Sequence, residues 1–274
     1  MKKFLANAYL WLVIAVLYAP VLIILVFSFT NAKVLGSWNG FSLELYGSLF
    51  KGEAGPSLNS AILNTVIIAV VSATVSTVLG SLAAIGIYNM GRKERRVLSF
   101  VNSIPMINPD IITGISIFLL FVFMGVTRGI GTIICAHIAF CTPYVVLSVM
   151  PRLMKMNPNL YEAALDLGAT PFYALRKVMF PELRPGMLSG FILSLTLSID
   201  DFAVTLFTKG SGGIDTLSTF IYADARKGGL TPELRALSTL IFVAVLALLI
   251  IINVRQARMQ KKAAENAMTI NKTR

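Results

Sequence analysis

The chain has 274 residues, 56% of them hydrophobic and 14% charged, with a formal net charge of +11. Water-soluble domains carry about 25% charged residues. Apolar runs near 20 residues with the charges gathered between them therefore exclude an ordinary soluble core and point to a bilayer. The basic residues sit at the ends of apolar runs, without an aromatic-interleaved groove, so nucleic acid is not an expected partner and membrane lipid is.

Met1, Lys2 and Lys3 open an apolar run that continues through Phe29. That is longer than a signal-peptide core, and no small-x-small site closes it, so residues 1–30 are read as a retained first span, roughly Phe4 to Phe29. Residues 31–60 follow as an extracytoplasmic loop rich in Gly, Ser and aromatic residues, with or without a lateral helix. Residues 61–254 hold five further spans. They run about Ala61 to Tyr88, Leu98 to Met124 with Pro105 and Pro109 near its start, Ile130 to Met150, Met187 to Phe207, and Leu234 to Val254. Residues 255–274 form a basic cytoplasmic tail.

The fold expectation is therefore all-α: a polytopic membrane protein with six transmembrane helices. With both termini inside, 17 basic residues fall on the cytoplasmic side and 7 outside, which together are the 24 of the chain. This bias favours the N-in, C-in orientation. Cys135 and Cys141 are six apart, a poor spacing for one helical face, and read as small core residues. His137, the only histidine, is expected to pack in the bundle without a ligand set, so a membrane enzyme finds no support.

The cytoplasmic segment 151–186 is punctuated by Pro151, Pro158, Pro171, Pro181 and Pro185. Between them, 159–169 is a short helix candidate with Asn157 as N-cap, Pro158 in its first turn and Glu162 where terminal amides favour an acid. Ala163 and Ala164 leave room for a second surface, and Gly168 ends the helix or turns the chain. On these grounds alone an amphipathic connector is an equal reading.

Three acids lie inside the spans: Asp110, Asp200 and Asp201. Intramembrane charges are costly and face a cavity or a partner. The span around Asp200 and Asp201 contains no Lys or Arg. Either acid could cap broken helical backbone or bond to a neighbouring span. The functional reading is a cation path, with Phe202 and Tyr144 offering cation–π contacts. Asp110, after Pro109, either faces the outer vestibule or holds a helix break.

The spaced pattern Glu162-Ala163-Ala164-x-x-x-Gly168, then nine residues, then Val178-x-Phe180-Pro181, resembles the EAA loop of ATP-binding-cassette (ABC) importer permeases. The usual Ile-x-Leu-Pro ending is replaced here by Val178 and Phe180. The resemblance spans about 59–254 and implies a type I (MetI-like) permease fold. It implies Glu162, Ala163, Ala164 and Gly168 as residues coupling to a cytoplasmic ATPase dimer.

Segments 102–116, 162–170, 194–202, 218–222 and 231–239 resemble the polyamine (spermidine/putrescine) branch of that family. This implies a sister permease, an extracytoplasmic polyamine-binding protein, a bacterial inner-membrane location, and a polyamine path at Asp200 and Asp201. Phe202 departs from the smaller residue common beside that pair. The chain has no Gly-x4-Gly-Lys-Ser/Thr loop, so ATP and Mg are expected on the partner ATPase and no cofactor in this chain. Related importers of ferric iron, sulfate or thiamine remain the alternative, and an ion-driven secondary transporter a weaker one, lacking inverted repeats.

Overall fold

The computed structural model describes residues 2–32, 36–51, 56–157, 159–212, 214–227, 231–243, 246, 247 and 250. The predicted tail 255–274, Pro158 and the distal part of the last predicted span lie outside the described residues. All regular structure among the described residues is helical. The chain divides into two compact units, Met1–Pro56 with Ala223–Arg274, and Ser57–Tyr222.

In the first unit, α1 (Lys2–Phe27) is apolar after its two opening lysines and Asn7, and keeps Pro20 inside the helix. The following loop is ordered by aromatic packing: Phe29 stacks on Phe41 at 5.6 Å and meets Tyr46 at 5.5 Å. It does contain a lateral helix, α2 (Glu44–Lys51), with Asn31 hydrogen-bonded to Glu44. Arg235 is fully buried, and its Nη1 donates to the Ala32 carbonyl at 2.9 Å.

The second unit contains α3 (Pro56–Asn89), α4 (Arg92–Ile107), α5 (Asp110–Phe123), α6 (Ile130–Lys155), α7 (Asn159–Asp166), α8 (Pro171–Ala174), α9 (Phe180–Asp200), α10 (Ala203–Thr208) and α11, Leu217–Ala225, which reaches past the unit's end. A π-helical turn, Leu175–Met179, joins α8 to α9 without interruption.

Among the described residues, three helices are long and apolar enough to cross a membrane: α1, α3 and α6. There are four if the pair α4–α5, bent by 105°, is one broken span. The third predicted span is thus two helices. The break falls at Asn108–Pro109, where proline disfavours a helical residue before it, while Pro105 stays inside α4. The fourth runs past Pro151 to Lys155, with both Pro143 and Pro151 kept inside the helix. The fifth starts earlier, at Phe180, and is interrupted after Asp200, with α10 following to Thr208. α9 is less apolar than α3 or α6 because it carries Glu182 and Arg184 at one end, Asp200 at the other, and small residues between.

Those small residues set the packing. Lipid tails give helices no hydrophobic reason to associate, so close backbone approach matters. A Cβ on Gly190 would lie 3.1 Å from Val145 Cγ1, and one on Gly186 3.2 Å from the Ser148 carbonyl. Gly186-x-x-x-Gly190 of α9 thus seats on α6. On the other side of α6, the hydroxyls of Ser72 and Ser76 donate to the Ile134 and Ile138 carbonyls at 3.4 and 3.3 Å. Ala84, Val145, Val149, Leu153, Met179 and Leu183 form the buried core where α3, α6 and α9 meet. Cys141 is buried in this packing, whereas Cys135 is exposed on the other face of α6.

Candidate functional site

Two helix breaks meet at one cavity of about 470 Å³, within the ~300–1,000 Å³ of small-molecule sites. Pro109, Asp110 and Ile111 enter it from the α4–α5 break. Phe140 and Tyr144 come from α6. Leu197, Asp200, Asp201, Phe202 and Ala203 come from the α9–α10 break. All five residues singled out for a substrate path, Asp110, Tyr144, Asp200, Asp201 and Phe202, therefore line the same space. The described lining contains three acids and no base.

The two neighbouring acids differ. Asp200 ends α9 and is exposed, as is Asp110 at the start of α5. Asp201 has only 5% of its side chain accessible. Its carboxylate accepts the backbone N–H of Val204 at 3.1 Å, that of Thr205 at 2.8 Å and the Thr205 hydroxyl at 2.8 Å. It caps the first turn of α10 and also meets His137 Nε2 of α6 at 3.3 Å, so it does both things open to it from sequence. Phe202 packs against Tyr222 with ring centroids 4.7 Å apart.

His137 is not a bland packing residue. It is fully buried, with Nδ1 2.6 Å from Ser198 Oγ and Nε2 3.0 Å from Thr205 Oγ1. Sequence reasoning passed it over because its partners lie 61 and 68 residues away. The usable signal was a single histidine and an intramembrane acid in adjacent apolar helices.

The loop 151–186 is built separately. Asn157 Oδ1 accepts the Asn159 N–H at 3.0 Å, at the start of α7. The helix ends in a Schellman motif: Gly168 N–H donates to Leu165 O at 2.8 Å and Ala169 N–H to Ala164 O at 3.0 Å, with Gly168 at φ +84°. Thr170 Oγ1 then accepts the Tyr173 N–H and Pro171 opens α8. Glu162 and Ala163 are exposed on α7. Ala164 and Gly168 join Leu167, Thr170, Tyr173 and Val178 in lining a surface hollow of about 570 Å³. Leu167 and Phe172, which sequence reasoning did not single out, are 89% and 71% exposed. Tyr161 packs against the core of α3, α6 and α9, so the loop is tied to the bundle.

A Cβ on Gly168 would meet nothing, so a substitution there costs backbone strain alone. Gly168→Ala is expected to cost ~1–2 kcal/mol in that turn, and Gly168→Asn less. The check is limited trypsin digestion at the exposed Arg176 and Lys177. Cleavage should be fastest for Ala, slower for Asn and slowest for the native chain; equal rates would mean the turn tolerates L residues.

A family model described as "Binding-protein-dependent transport system inner membrane component" matches residues 76–264. The spermidine/putrescine transport system permease protein PotC of Haemophilus influenzae is 36% identical over 250 residues, covering 91% of this chain and 95% of that protein. The putrescine transport system permease protein PotI of Escherichia coli K12 is 37% identical over 236 residues, covering 84% and 82%. Among solved structures, a bacterial ABC transporter involved in import of the acidic polysaccharide alginate aligns with a TM-score of 0.65 at 14% identity, over 93% of this chain and 95% of that one. The MetNI methionine ABC transporter aligns with a TM-score of 0.55 at 22% identity, over 72% and 92%. The two structural likenesses carry the fold alone.

Proposed function

The chain belongs to the inner membrane components of binding-protein-dependent transport systems, and from that premise we propose that it is a permease subunit of an ATP-driven importer of spermidine and putrescine. The observation that carries the cargo is the cavity: Asp110 and Asp200 are exposed in it, and its described lining offers no base. Two carboxylates in a site walled by hydrocarbon favour an ammonium over a neutral solute and repel an anion such as sulfate. Tyr144 and Phe202 add ring faces for a cation, and Asp201 stands behind them.

The chain crosses the inner membrane of a bacterium six times, N-in and C-in. The distribution of basic residues supports this topology. The helix at 232–243 supports a last crossing. The α4–α5 and α9–α10 pairs count as one broken span each, since broken helices at membrane depth are tolerated where they line a cavity.

The path is completed by a sister permease, and an extracytoplasmic binding protein delivers the polyamine. Energy comes from a cytoplasmic ATPase dimer that binds ATP and Mg, seated against Glu162, Ala163, Ala164 and Gly168, so this subunit itself is not an enzyme. Leu167, Phe172 and Tyr173 supply the exposed apolar surface such a contact requires.

The deciding experiment is uptake of radiolabelled spermidine and putrescine by vesicles holding the complete four-part complex, with and without ATP. ATP-dependent accumulation competed by excess unlabelled polyamine, and not by sulfate or thiamine, is the expected result. Hydrolysis without any polyamine uptake would sink the cargo and leave the importer architecture.

A further inference from the structure

We infer that His137 is a positioning residue of the cavity: its single imidazole clamps the two sides of the α9–α10 break, withdrawing Asp201 from the cargo and leaving Asp200 and Phe202 to face it. This rests on reading the cavity as the polyamine path. The break needs a cause. Residues 195–208 contain neither proline nor glycine, unlike the α4–α5 break with its Pro109. The dihedral angles at the break, φ −63° and ψ 132° at Asp201 and φ −116° and ψ −47° at Phe202, are ordinary ones. Nothing in the local backbone stops α9 from continuing as a helix. Each further helical residue would turn by about 100°, re-aiming every side chain beyond Asp200.

What holds the break is side-chain chemistry. Asp201 supplies the acceptors for the first turn of α10. His137 reaches Ser198 before the break with Nδ1, and Thr205 and Asp201 after it with Nε2. The proton inventory fits one arrangement. An ionised carboxylate only accepts, so the Thr205 hydroxyl donates its one hydrogen to Asp201. Thr205 Oγ1 must then accept, which places a hydrogen on His137 Nε2, shared between Thr205 and Asp201. The Asp201 carboxylate is held by Val204, Thr205 and His137, and its side chain is almost closed to solvent. Asp200 has no ion-pair partner among the described residues.

The test uses the reconstituted complex and initial rates of spermidine uptake per assembled transporter. Variants are His137→Ala, His137→Gln, Asp200→Asn, and His137→Ala with Asp200→Asn. Losing hydrogen bonds to a charged partner is expected to lower uptake about tenfold in His137→Ala. Glutamine keeps a donor where Nε2 stands, and His137→Gln is expected to restore most of the rate. In the Asp200→Asn background, His137→Ala should cost no more than about twofold further, because little is left to position. Costs that multiply across the two sites would overturn the inference, since a merely structural histidine acts regardless of Asp200.

Hydrogen exchange on the same complexes gives a second readout that needs no cargo. Faster exchange in His137→Ala confined to residues 201–208 supports the clamp; uniform acceleration across α3, α6 and α9 overturns it. If the native complex takes up no polyamine, the cargo reading fails and the exchange result alone decides on the clamp.

Discussion

Replacing Asp110 and Asp200 together by asparagine is expected to lower ATP-driven spermidine uptake by about 100-fold. The estimate is about tenfold for each carboxylate, far below the full Coulomb attraction at contact because both groups open to water. Asparagine keeps size and polarity, so only charge is removed. The two acids come from different helix breaks, yet they line one cavity. A polycation with separated ammonium groups can meet both, and each single substitution should therefore leave measurable transport. Uptake is to be compared in vesicles carrying equal amounts of assembled complex, with the salt concentration varied. Uptake by the double variant within twofold of the native rate would remove the electrostatic account of the cavity.

Gly80→Ala is expected to be among the most disruptive single-methyl changes in the chain. A Cβ there would lie 2.6 Å from Val145 Cβ, 2.8 Å from Val145 Cγ1 and 3.0 Å from the Thr142 carbonyl. None of these is the free end of a flexible side chain, so α3 must move off α6. Overpacking of this kind costs ~1–3 kcal/mol, and here it also stretches the Ser72 and Ser76 hydrogen bonds to α6. The expected result is a lower midpoint of thermal unfolding for the detergent-solubilised complex. Val145→Gly should recover part of the loss by removing both nearest atoms. Val145→Ala should not, because the Cβ contact stays. A Gly80→Ala midpoint equal to that of the native complex would show that the crossing can relax.

The sequence was most legible where one local rule sufficed. Apolar length marked α1, α3 and α6, Pro109 marked the first break, and Gly168 marked the end of α7. The intramembrane acids could be named because charge in an apolar run stands out. Their division of labour could not. Asp201 is distinguished from Asp200 by an imidazole more than 60 residues away, and by a break that no helix-breaking residue announces. The fifth predicted span begins later than α9 for a related reason. Its small residues, Gly186 and Gly190, lower its apolar character while serving helix contact, and the start of α9 merges with α8 through a π turn. Leu167 and Phe172 were passed over because a single exposed apolar residue is ordinary in any loop.

The unbroken helical rod from Pro171 to Asp200 has a mechanical consequence. Near the loop end it approaches α6 closely at Gly186, where a Cβ would lie 3.2 Å from the Ser148 carbonyl. Asp200 lies 14 residues beyond that point, or about 21 Å at 1.5 Å per residue. Phe180, where α9 begins, is only six residues before it, about 9 Å. If α9 tilted as a rigid body about Gly186, the arm towards the cavity would be more than twice the arm towards the loop. In that case a 1 Å sideways push at the base of α9 would swing its far end by about 2 Å, enough to change an ion contact. Such a tilt would turn a small displacement at the loop 151–186 into a larger one at the Asp200 carboxylate.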